Sequence, residues 1–85
     1  MRIAQRPLDI YNEALDELDK ARSKFPKQNI WVTLAALTEE IGELNQSILQ
    51  YHERPDDVQL EDIRKQLVQS ITMLLRVALD CELEY

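Results

Sequence analysis

The stretch Leu37-Thr38-Glu39-Glu40-Ile41-Gly42-Glu43-Leu44 gathers the residues best suited to do chemistry, because it sets three carboxylates close together on strongly helical sequence. At about 100° per residue, Glu39, Glu40 and Glu43 fall within an arc of about 100° on one side of a helix. Glu39 with Glu43 and Glu40 with Glu43 are then like-charge neighbours, each pair destabilising an isolated helix by roughly 0.2–0.5 kcal/mol. A hard divalent cation held through oxygen atoms, Mg²⁺ or in its place Mn²⁺, would relieve that repulsion. The spacing therefore marks Glu39, Glu40 and Glu43 as candidate metal ligands and catalytic acids. A solvated acidic face is the other reading of the same pattern.

A second polar line, Gln66, Gln69, Arg76 and Asp80 with Met73 among them, runs through an otherwise apolar segment near the C-terminus. Polar groups at one azimuth of a buried helix need polar partners. Ala36, Glu40, Glu43 and Ser47 form a comparable line, and its small residues would let another helix approach closely. The expectation is that the two lines face each other across a polar pocket. Gln66, Gln69 and Arg76 would then contact a ligand, or Arg76 would pair with Glu40 or Glu43 as a structural salt bridge.

Three helices are needed to position these groups. Leu8, Tyr11, Leu15, Leu18 and Phe25 follow a three-four spacing with Pro7 in the first turn, which predicts a helix ending near Ser23. Lys20, Arg22, Lys24 and Lys27 cluster there, where cations favour the helix dipole. Asn29 is the expected N-cap of a second helix to about Tyr51, with a seam of Leu34, Leu37, Ile41, Leu44, Ile48 and Tyr51. Gly42 inside it suggests a close packing contact. His52-Glu53-Arg54-Pro55-Asp56-Asp57 breaks the pattern, leaving His52 solvated and Asp56 or Asp57 to cap a third helix to about Cys81. Wide apolar coverage over Leu67–Leu79 predicts burial on more than one side. Trp31, Tyr11, Tyr51 and Phe25 read as core rather than as stacking platforms for a base. The fold class is all-α, a small antiparallel bundle of about three main helices in a single domain over residues 1–85.

Eighty-five residues supply a marginal core, so completion by oligomerisation is expected. With 16 acidic and 10 basic residues, the net charge of −6 argues against nucleic acid or an anionic membrane as partner. The lone Cys81 excludes an intrachain disulfide and suits a reducing, cytoplasmic setting. No apolar run approaches membrane length, and the first seven residues lack the apolar core of a secretory signal.

Glu39-Glu40-Ile41-Gly42-Glu43-Leu44 within Trp31–Gln50, followed by Glu61-Asp62-Ile63-Arg64-Lys65-Gln66-Leu67, resembles the MazG-like nucleotide pyrophosphohydrolases of the all-α NTP pyrophosphatase superfamily. The resemblance covers roughly the C-terminal two thirds of the chain. It implies Mg²⁺ binding by Glu39, Glu40 and Glu43, hydrolysis of a nucleoside triphosphate to monophosphate and pyrophosphate, and homodimers or homotetramers built by helix packing. Gln66 and Gln69 stand where the family pattern has Glu and Asp. Glutamine carries no charge and cannot act as a general base, so metal affinity and turnover should both fall. Some phage-type relatives read Glu-Ala-Val-Gln followed by Met and Arg, which Gln66-Leu67-Val68-Gln69 with Met73 and Arg76 matches except at Gln66. Two function classes follow from these residues. One is a Mg²⁺-dependent pyrophosphohydrolase with a reduced acidic site, and the other is a non-catalytic bundle that binds a nucleotide or a protein, or simply assembles.

Overall fold

Pro7 opens the first helix, where its missing N–H is no loss, and α1 runs Pro7–Lys24. Asn29 caps the second as expected: its side-chain oxygen accepts hydrogen bonds from the Trp31 and Val32 amides, and α2 spans Ile30–Glu53. A single 3-10 turn, Pro55–Asp57, follows, and α3 spans Leu60–Asp80. The computed structural model describes residues 2–83, and among these there is no β-strand. The fold is the expected all-α bundle of three helices.

The start of α3 departs from expectation. Asp56 and Asp57 fold into the 3-10 turn, Val58 and Gln59 are extended, and Gln59 becomes the N-cap without a side-chain hydrogen bond. Pro55 is the physical reason. Its fixed φ starts a turn at once, and the chain then needs two extended residues to enter α3 in the opposite direction.

α3 is the middle element. It packs against α1 on one side and α2 on the other, and α1 and α2 make no contact with each other. Hydrogen bonds joining Glu17 to Gln69 and Arg22 to Asp80 rise together along both sequences, so α1 and α3 run parallel. Cys81 meets Thr33 and bridges to Gln28 at the other interface, so α2 runs antiparallel to α3. The three helices make an elongated bundle, 46 × 24 × 22 Å along its principal axes, in which α3 alone has two helical neighbours.

Because α1 and α2 do not meet, the bundle buries little. Ala14, Leu18, Ile63 and Val68 are the buried apolar side chains among the described residues. Thr33, Ser70, Thr72 and Arg76 are buried with them. Burial of polar groups is tolerated because each is satisfied: Thr72 Oγ1 donates to the Val68 carbonyl at 2.8 Å, and Thr33 Oγ1 to the Asn29 carbonyl at 2.8 Å. The expected seams are rotated from the core. On α2 the half-buried face is Ala36, Leu37, Glu40, Leu44, Ser47 and Tyr51, below the buried Thr33. Leu34, Ile41 and Ile48 sit on its shoulder, exposed by 38%, 39% and 45%.

Three further expectations are corrected. Trp31 and Phe25 are largely exposed and Tyr11 substantially so, leaving Tyr51 as the half-buried aromatic, because a helix with one neighbour can bury only one face. Gly42 mediates no close contact: a Cβ built there would meet nothing within 4 Å. Its azimuth points away from α3, the one helix packed along α2. Leu8 also remains exposed, so α1 is held by Ala14 and Leu18 rather than by its whole three-four stripe.

Candidate functional site

Glu39, Glu40 and Glu43 lie in the middle of α2, as the sequence requires, but they do not share one environment. Glu40 is half-buried on the face toward α3, while Glu39 and Glu43 are exposed. Burial pushes the Glu40 carboxyl above its ordinary value, and repulsion from Glu43 and then Glu39 adds to that. Among the described residues no three of His, Cys, Asp and Glu come together in a way that would hold a metal ion. Glu39, Glu40 and Glu43 are oxygen donors of the kind Mg²⁺ takes, an ion usually held by one or two carboxylates together with waters and substrate phosphates, and here one of the three is half-buried and two face solvent.

The polar line of α3 is placed largely toward α1 rather than α2. Gln69 Nε2 donates to Glu17 at 3.3 Å. Arg76 is almost fully buried. Its Nε donates to Asp80 at 2.9 Å, and its Nη2 donates to the Phe25 carbonyl at the end of α1. Arg22 of α1 holds the other side of Asp80, at 2.9 Å through Nε and 2.6 Å through Nη2. The expected pairing of Arg76 with Glu40 or Glu43 is therefore corrected. Asp80 stands one helical turn along α3, at i+4, and takes the guanidinium before any residue of α2 can.

Asp80 is the centre of this cluster. Hydrogen bonds from Arg22 hold its carboxyl below the usual carboxylate range against the opposing effect of burial, and Arg76 lowers it further. The same contact raises the Arg22 guanidinium above its ordinary value. The sequence contained the signal for this clamp in the basic cluster at the end of the first helix, which a helix-dipole reading alone did not connect to Asp80.

Gln66 differs from its neighbours on the line. Its side-chain oxygen is buried and has no hydrogen-bond partner. The unpaired acceptor lies on the arc of α3 between the α1 and α2 sides, at the azimuth nearest the carboxylate side of α2.

Two open clefts mark the surface. One lies where α2 begins and α3 ends, lined by Asn29, Trp31, Leu34, Asp80 and Leu83. The other lies between α1 and α3, where Arg64 donates to Glu13 at 2.9 Å and to the Ile3 carbonyl at 2.7 Å. Neither cleft is lined by Glu39, Glu40 or Glu43. No family model, curated protein or solved structure matches this chain.

Proposed function

We propose that this protein is a non-catalytic helical assembly module, which works by covering its exposed apolar stripes on α2 and α3 with another protein surface. One observation carries the reading: Leu34, Ile41 and Ile48 of α2 and Leu74 of α3 are each between 38% and 51% exposed although all belong to three-four apolar stripes. Stripes of that kind are built to be buried. The polar residues that would have served a nucleotide support the same reading. Gln69 and Arg76 are engaged by Glu17, Asp80 and the Phe25 carbonyl, and Asp80, an acid that α3 could have offered, is itself held by Arg22 and Arg76. The proposal includes a cytoplasmic setting, supported by the single cysteine. Among the described residues no helix is long and apolar enough to cross a membrane.

A second reading, a Mg²⁺- or Mn²⁺-dependent hydrolase releasing pyrophosphate from a nucleoside triphosphate, is favoured by the raised Glu40 carboxyl and the unpaired Gln66 oxygen. Both are groups that a cation or a hydrogen-bonding ligand would satisfy. One assay separates the two readings. Pyrophosphate release is measured over a panel of ordinary and modified nucleoside triphosphates with Mg²⁺ and Mn²⁺, beside Glu40→Gln. The module reading predicts no release above background from folded protein. Release that disappears in Glu40→Gln would overturn it.

A further inference from the structure

Along its length α2 packs against α3 alone, so most of its circumference stays open. The buried Thr33 and the half-buried Leu44 mark the α3-facing direction. At about 100° per residue, Trp31, Leu34, Ile41, Ile48 and Leu49 fall within one arc of about 100°, centred roughly 110° away from Thr33. All five are exposed, Trp31 by 76% and Leu49 by 61%. Between Trp31 and Tyr51 no acidic or basic residue falls in that arc. The result is an apolar stripe about 27 Å long on one helix, a surface shaped to receive another helix.

The border of the stripe is acidic. Passing round α2 away from α3, the stripe is followed by Gly42 and Ala35 and then by Glu39 and Glu43. Both carboxylates are exposed, and among the described residues neither has an ion-pair partner. Over its whole length α2 carries four glutamates and neither Lys nor Arg. Gly42 and Ala35 leave a shallow channel between the apolar residues and these acids, since a Cβ built on Gly42 would meet nothing within 4 Å. The aliphatic stem of a Lys or Arg can lie across that channel while its charged head reaches the carboxylates.

Resting on the module reading, we infer that the stripe takes a basic amphipathic helix of a partner protein. Its large apolar side chains cover Leu34, Ile41 and Ile48, and Lys or Arg along one flank pairs with Glu39 and Glu43. Charge complementarity sets this occupant apart from the others. A second copy laid along the stripe offers the same α2, which has no Lys or Arg to set against those acids. An anionic lipid surface meets the same repulsion. The exposed Leu74 of α3 lies outside the stripe and stays available to other contacts, copies of the chain included.

Trp31 is the only tryptophan and lies in the stripe, so its emission reports the occupant. The probe is a tryptophan-free synthetic helix with Leu at three-four spacing and Lys on the flanks, beside a twin with Glu for every Lys. Expected are a saturable blue shift with the Lys helix and an affinity for the Glu twin lower by roughly tenfold or more. Combining Glu39→Gln with Glu43→Gln should remove that preference. Ile41→Asp should abolish the shift, whereas Tyr11→Ser on α1 should leave it unchanged. Should Ile41→Asp not fold, Leu49→Ser gives a graded readout, a dissociation constant weakened roughly fivefold or more. No shift with the Lys helix, equal affinity for the twins, or a preference that survives the double Gln variant would overturn the inference. So would a Trp31 shift driven by protein concentration alone, which places a second copy on the stripe, or one driven by anionic vesicles in place of peptide. No response to the Lys helix with no pyrophosphate release overturns the basic helix alone, whereas release dependent on Glu40 overturns the module reading beneath it.

Discussion

Asp80 ties α1 to α3, because it takes Arg22 from α1 and Arg76 from its own helix at one point. The side chains of Arg76 and Asp80 are 3% and 6% exposed, so neither charge has water to fall back on. Removing one partner from such a pair costs about 3–5 kcal/mol, because the other charge stays buried. Asp80→Asn should lose about that much in urea unfolding. Since the native carboxyl titrates below its unfolded value, the stability it contributes is complete above the ordinary aspartate value of about 3.9 and is lost as pH falls through the lower native value. The gap between wild type and Asp80→Asn should therefore narrow below about pH 4. Glu40 behaves in the opposite sense. Its native carboxyl is raised, so ionisation costs stability as pH rises above the ordinary glutamate value of about 4.3. Glu40→Gln should match or exceed wild type in thermal stability at pH 7, with the difference closing under acid. A clear loss of stability at pH 7 would mean that the ionised carboxylate has a favourable partner.

At the scale of elements, helix positions were legible in the sequence because period and caps agree. Pro7 and Asn29 set two starts, and the apolar repeat carried each helix to within a few residues of its end. The start of α3 was less legible, since two aspartates after a proline serve a 3-10 turn as well as a cap. Which face is buried was legible in part: α3 is covered on two sides as its wide apolar arc requires, and Leu37, Leu44 and Tyr51 of the α2 seam are half-buried, but the exact rotation of α2 was not. That depends on α3 standing between the other two, a fact of topology that leaves Leu34, Ile41 and Ile48 outside while Thr33 goes in. The acidic trio on α2 was plain from spacing, but its uneven burial follows from the same topology. Two substitutions check this element-level account. Gly42 sits inside α2 with open space around its Cα, so Gly42→Ala should stabilise by about 1 kcal/mol in chemical denaturation. Destabilisation would place an unseen neighbour against that face. Gln59 caps α3 without using its side chain, so Gln59→Asp should add about 0.5–1 kcal/mol.

At the scale of the whole molecule, α3 has two helical neighbours and α1 and α2 have one each, so one chain satisfies only part of its own apolar pattern. The buried apolar set of Ala14, Leu18, Ile63 and Val68 is small for a sequence that is 45% hydrophobic. On the proposed module reading, association supplies part of the stability, and folding is then linked to concentration by mass action. The direct measurement is the midpoint of thermal unfolding followed by circular dichroism over a hundredfold range of protein concentration. A core completed between molecules predicts a midpoint that rises steadily with concentration. A midpoint that stays fixed across the whole range would show that one chain folds alone, and would contradict the account.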